Sequence, residues 1–183
     1  IEGKHGGMSA VDGRTGSLLW TYHAADEVFT TTPLLDLNGD GVEDPVMGGR
    51  TLNRGVMALD GRTGVKLWFL GEANPGSDFP KTNFNTPLRL PDQDGDGIDD
   101  LLVGQSGGQD DTRPPARYHL ISGKTGRIIW TKMLPDRLES YALPAVIMKD
   151  GEVESFIVGS GGETLPGHLF RLDFPEMTER WRF

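Results

Sequence analysis

"LDGRTGVKLW", residues 59–68, decides how the rest of the chain is read. The phrase recurs as "VDGRTGSLLW" at 11–20, as "ISGKTGRIIW" at 121–130 and, more loosely, as "LDFPEMTERW" at 172–181. In all four, Trp20, Trp68, Trp130 and Trp181 stand eight residues after Asp12, Asp60, Ser122 and Asp173. Each copy has a short apolar run, a turn, which in the first three is Asp-Gly or Ser-Gly followed by Thr-Gly, and a second run carrying the tryptophan. That is the pattern of a β-hairpin. A repeat of this length has to be settled before any other feature, because it fixes the architecture.

Upstream of three of the hairpins lies a further strand pair. "TTTPLLD" leads to "PVMGG", "FNTPLRLPD" to "LLVGQSGG", and "YALPAVIMKDGEVESFIVGSGG" is the third version. Each unit thus offers four strands of about five residues, here A to D, and almost no helix. With 26 glycines and 12 prolines among 183 residues, turns dominate. Tandem four-stranded units of ~40 to 55 residues predict an all-β fold, a β-propeller segment of antiparallel blades. The segments are 1–22 as the outer hairpin of a partial blade, then blades at 29–70, 82–134 and 140–183. A blade cannot bury both faces alone, so the tryptophans are expected as wedges between neighbours.

Two acidic phrases, "DLNGDGVED" at 36–44 and "DQDGDGIDD" at 92–100, occupy the A–B connection of the second and third units. Net charge is −9, from 27 acidic and 18 basic residues. Asp36, Asp40, Glu43, Asp44, Asp92, Asp94, Asp96, Asp99 and Asp100 match that excess, so the surplus is local. Like charges about 5 Å apart repel by roughly 3 kcal/mol per pair at an effective dielectric near 20, which predicts a bound cation. Oxygen ligands at alternate positions suit Ca²⁺ over Mg²⁺ or Zn²⁺. The first set comprises Asp36, Asn38, Asp40, the carbonyl of Val42, and Asp44. The second comprises Asp92, Asp94, Asp96, the carbonyl of Ile98, and Asp100. Gly41 and Gly97 stand where the backbone must turn under the ion. An EF-hand is excluded, because its twelfth position needs a bidentate Glu and here holds Met47 or Val103. At affinities of ~0.1 to 1 mM, millimolar calcium would stabilise each loop by about 0.4 to 1.4 kcal/mol, a staple and no catalytic centre. The fourth unit, with "VIMKDGEVE" at 146–154, puts Val146 and Met148 at the first two ligand positions and offers an Asp150-Gly151 turn instead.

These phrases carry two resemblances. "ALDGRTGVKLW" is similar to the tryptophan-docking repeat of PQQ-type propellers, found in quinoprotein dehydrogenases and outer-membrane assembly lipoproteins. "DLNGDGVEDPVMGG" and "DQDGDGIDDLLVGQ" resemble the FG-GAP or VCBS repeats of integrin α-subunit propellers and bacterial surface proteins. Together they imply a calcium-stabilised propeller that is extracellular, periplasmic or at the cell surface.

Other motifs yield no chemistry. "GQSGG" at 104–108 shares its slot with "GSGG" at 159–162 and is a strand end. "SGKTG" at 122–126 lacks the upstream glycine of a P-loop, Tyr118 standing there. The four histidines, His5, His23, His119 and His168, have no metal-ligand spacing. There is no cysteine and no apolar run near the ~20 residues needed to span a bilayer. The acidic balance argues against nucleic acid. The sequence reads as soluble and as part of something longer.

Partners are expected on the face carrying the B–C and D–A connections, where the long loops gather. Arg50, Arg54, Asp78, Asp110, Asp111, Arg113, Arg117 and Glu163 are the candidates there, for a protein or a carbohydrate. A binding, adhesion or assembly module is expected, not an enzyme. The alternatives are a PQQ-dependent dehydrogenase and a calcium-dependent polysaccharide lyase. The first lacks a cysteine pair to lie on the quinone, and the second lacks a basic and histidine cluster. Residues 8–22 supply only strands C and D of a blade. We therefore expect the rest of a longer propeller, or a neighbouring chain, to complete it.

Overall fold

The computed structural model describes residues 6–24, 27–28, 34–49, 55–71, 83–85, 87–107, 114–162 and 166–183. Fourteen strands are present among them, in four antiparallel sheets. The first sheet is a hairpin of β1 (Gly7–Val11) and β2 (Leu18–His23). The second runs β3 (Leu34–Leu35), β4 (Asp44–Gly49), β5 (Gly55–Leu59) and β6 (Lys66–Gly71). The third runs β7 (Leu88–Leu90), β8 (Asp100–Gln105), β9 (Arg117–Ile121) and β10 (Ile128–Met133). The fourth runs β11 (Ala145–Lys149), β12 (Glu152–Gly159), β13 (Leu169–Asp173) and β14 (Thr178–Arg182). Strand order within each sheet follows chain order. These are propeller blades, three complete and one represented by its outer hairpin.

The core consists of the seams between blades. Val46, Val56, Ala58 and Leu70 of the second blade pack with Leu101, Val103 and Ile121 of the third. Leu102, Tyr118 and Leu120 pack in turn with Phe156, Val158, Phe170 and Leu172 of the fourth. Met47, Met57 and Leu59 meet Met8, Trp20 and Tyr22 of the hairpin. A sheet covered on both faces reads as an unbroken apolar run, and β4, β5 and β8 are buried at every position. β1 has a covered neighbour on one face only, and its exposure alternates. Each large apolar side chain fully withdrawn from water contributes roughly 1.5–3 kcal/mol, so the seams carry the stability.

Each C–D hairpin carries a bulge just before its tryptophan. The register slips between Val11↔Leu18 and Ala10↔Trp20, between Leu59↔Lys66 and Ala58↔Trp68, between Ile121↔Ile128 and Leu120↔Trp130, and between Leu172↔Glu179 and Arg171↔Trp181. One extra residue re-aims the following side chain. The indole then reaches the turn of the next blade: Trp20 Nε1 donates to the Gly61 carbonyl at 2.8 Å, and Trp68 Nε1 to the Gly123 carbonyl at 2.9 Å. Gly64 (φ 72°) and Gly126 (φ 68°) lie beneath these rings, where a Cβ would come within 2.7 and 2.5 Å of indole carbon. At the last seam the pattern changes. Phe174 stands where Gly61 and Gly123 stand in their blades, its ring 6.1 Å from that of Trp130, and Trp130 Nε1 is buried without a hydrogen-bond partner.

Candidate metal-binding loops

Both acidic loops are folded by their own carboxylates. In the first, Asp36 accepts the backbone N–H groups of Gly39, Asp40 and Gly41 at 2.8 to 3.0 Å. Asn38 Oδ1 accepts Asp40 N–H, and Asp40 Oδ1 accepts Val42 N–H. The second repeats this: Asp92 accepts Asp94, Gly95 and Gly97 N–H, Asp94 accepts Asp96, and Asp96 accepts Ile98. These overlapping turns aim amide dipoles at the negative charges, a source of neutralisation that the repulsion argument from sequence left out.

The closing aspartates behave differently from the others. Asp44 and Asp100 are completely buried. Asp44 Oδ2 accepts Leu37 N–H at 2.8 Å, and its Oδ1 accepts Gly61 N–H at 2.7 Å. Asp100 Oδ2 accepts Gln93 N–H at 2.7 Å, and its Oδ1 accepts Gly123 N–H at 3.1 Å. Each therefore ties the A–B loop to the C–D turn of its own blade. Burial raises both pKa values above the usual carboxylate range, and for Asp100 the charges of Asp94 and Asp92 add to the effect. Asp92 shifts the other way, chiefly through the Gly97 N–H.

The two loops differ in focus. Asp92, Asp94 and Asp100 each place a carboxylate oxygen within 4.8 Å of the others, the only such trio of acidic or imidazole ligands among the described residues. Asp96 turns away: its Oδ2 accepts Ser122 Oγ–H at 3.3 Å and its carbonyl accepts from Lys124 Nζ at 3.4 Å. In the first loop Asn38 stands at the position of Asp94 and donates from Nδ2 to Asp60 at 3.2 Å. Asp40 already holds a cation, the Arg62 guanidinium, with Nε 3.0 Å from Oδ2. Asp36, Asp40 and Asp44 form no carboxylate trio. Val42 and Ile98 are half-buried at matching points, and Ile98 packs on the apolar seam. Of the ten residues expected as ligands, the fold thus brings three acids to one focus. The donor set there, three carboxylates with amide-ordered backbone, fits a hard divalent ion such as calcium.

Sequence reading missed the links from Asp44 to Gly61 and from Asp100 to Gly123. A signal was present: the fourth unit lacks both the acidic loop and the glycine, with Phe174 in its place. Of the candidates expected on the long-loop face, Arg50, Arg54, Asp78, Asp110, Asp111, Arg113 and Glu163 lie outside the described residues. Arg117 begins β9, its Nε buried without a hydrogen-bond partner, and burial lowers its pKa. On that face too, Ser160 Oγ and His168 Nδ1 both bind Asp136 Oδ2. The carboxylate sits between serine and histidine, so the imidazole does not take the serine proton as a nucleophilic triad requires.

Stacked four-stranded blades locked by outer-strand tryptophans define a β-propeller. The chain belongs to the FAM234A/B β-propeller family, which matches residues 7–153. Among solved structures it is similar to BamB from Moraxella catarrhalis, with a TM-score of 0.55 and 21% identity over 97% of this chain and 42% of that one. It is similar also to a europium-containing methanol dehydrogenase, with a TM-score of 0.58 and 16% identity over 100% of this chain and 40% of that one. At these identities the likeness shows the fold, and the chain spans about two-fifths of either protein's length. No curated protein is significantly similar to it.

Proposed function

We propose that the chain is a segment of an extracellular, periplasmic or surface-exposed propeller that is stapled by calcium and serves as a binding or assembly module. The convergence of Asp92, Asp94 and Asp100 carries this reading. Those three side chains would hold the ion, and Ca²⁺ would supply charge neutralisation at the corner where the A–B loop meets the C–D turn. An affinity in the range of extracellular modules would fill the site only where calcium is millimolar, which is the support for localisation. The first loop, with Asp40 engaged by Arg62, is the weaker site, and the FG-GAP-like resemblance of both loops points the same way. Ligand recognition is assigned to the long-loop face, with a protein or a carbohydrate as partner.

Calcium titration followed through the amide signals of Gly95 and Gly97 tests this directly. Saturable shifts with a Kd at or below about 1 mM, lost in an Asp94→Asn variant, support the reading. Signals that do not move below 10 Kd-equivalents of that range, about 10 mM calcium, overturn it.

A further inference from the structure

The edge of β1 that faces away from β2 carries no strand among the described residues, whereas the equivalent strands β5, β9 and β13 each pair on that edge with β4, β8 and β12. The turn that follows β1 holds a second unfilled position. A Cβ on Gly61 would lie 1.9 Å from the Glu43 carbonyl oxygen, and one on Gly123 would lie 2.1 Å from that of Asp99. In both blades the intruding carbonyl belongs to the acidic loop of the same blade, and the next residue, Asp44 or Asp100, accepts the glycine N–H. None of Gly13, Gly61 and Gly123 has a positive φ, so the turn itself does not demand glycine. The fourth blade supplies the converse: its A–B connection is the tight Asp150-Gly151 turn, and Phe174 occupies the position. Glycine here accompanies an acidic loop. Gly13 keeps the glycine, yet a Cβ on it meets nothing within 4 Å.

We propose that the free edge of β1 and the Gly13 turn receive an inner β-hairpin of the same polypeptide, whose connecting loop is acidic and ends in an aspartate that accepts the Gly13 N–H. This rests on the propeller reading and adds the chemistry of the missing strand pair. Main-chain pairing along β1 would give affinity, and the carboxylate-to-amide contact would fix register. The hairpin β7–β8 is a ready probe, because Arg117 and Gly7 hold equivalent positions five residues before Ser122 and Asp12.

The test joins residues 83–116 directly ahead of residue 7 in the full chain. The graft is expected to raise the melting temperature, to slow exchange of the Ser9 and Val11 amides, and to slow exchange of the Gly13 amide at least tenfold. Asp100→Ala in the grafted copy, or Gly13→Leu, removes the Gly13 effect. Gly13→Leu in the ungrafted chain leaves the melting temperature unchanged, since the space is open. Protection along β1 with unaltered exchange at Gly13, or a graft that tolerates Gly13→Leu, overturns the acidic-loop inference and leaves the propeller reading standing. Unprotected β1 amides overturn both.

Discussion

Trp68 of one blade donates its indole N–H to the carbonyl of Gly123 in the next, 2.9 Å away, and Trp20 makes the same bond to Gly61 at 2.8 Å. Trp130 has no such acceptor. Replacing an indole by a phenyl ring removes the donor and keeps much of the apolar bulk. Trp68→Phe and Trp20→Phe are therefore expected to cost about 0.5–1.5 kcal/mol each beyond their loss of area, and Trp130→Phe at least 0.5 kcal/mol less. Urea denaturation of the three variants decides it, and equal losses would show that the bonds do not lock the seams.

Gly61 and Gly123 are constrained by neighbouring backbone, not by their own dihedral angles. A methyl group 1.9 or 2.1 Å from a carbonyl oxygen forces the acidic loop off its turn. Gly61→Ala and Gly123→Ala should each destabilise by more than about 3 kcal/mol, placing them in the tail of point-mutation effects. Gly39→Ala, by comparison, meets open space and bears only the cost of its positive φ, about 1 kcal/mol. Equal losses at the three positions would sink the steric argument.

Arg62 acts as a resident cation on the first loop. Its pair with Asp40 is largely exposed, so Arg62→Gln is expected to cost less than about 1 kcal/mol without calcium. The freed carboxylate should then strengthen calcium binding at Asp36, Asn38 and Asp40. Titration monitored at Gly39 and Gly41 checks this, and unchanged affinity would remove Arg62 from the account.

His119 predicts an acid-sensitive core. The ring is buried between Gln105 and Thr131, and burial, assisted by the charge of Arg117, lowers its pKa from 6.5 to about 4. The neutral form favours the fold. Its contribution is complete above about pH 6.5 and is lost as pH falls through about 4, with a limiting slope of about 1.4 kcal/mol per pH unit. His119→Gln should flatten the stability profile between pH 4 and 6.5. A profile as steep as that of the unmodified protein would assign the slope to other groups.

The blades were legible because the tryptophan spacing is a local signal repeated four times. The roles of individual carboxylates were not. Asp36 and Asp44 are the same residue type eight positions apart, yet one is half-buried among the loop's own amides and the other is sealed against Gly61. That distinction depends on a contact 17 residues away, and the Arg62–Asp40 pair on one 22 residues away. Phe174 was visible throughout, but its meaning needed the distance between Gly61 and the Glu43 carbonyl.

Thermal melting in excess EDTA and in 1 mM calcium tests the central claim most directly. For a site with Kd of 0.1 to 1 mM, about 0.4 to 1.4 kcal/mol of added stability corresponds to a rise of about 1–5 °C, absent with equimolar magnesium and abolished by Asp92→Ala. Superimposable curves in EDTA and calcium would contradict a calcium-stapled corner.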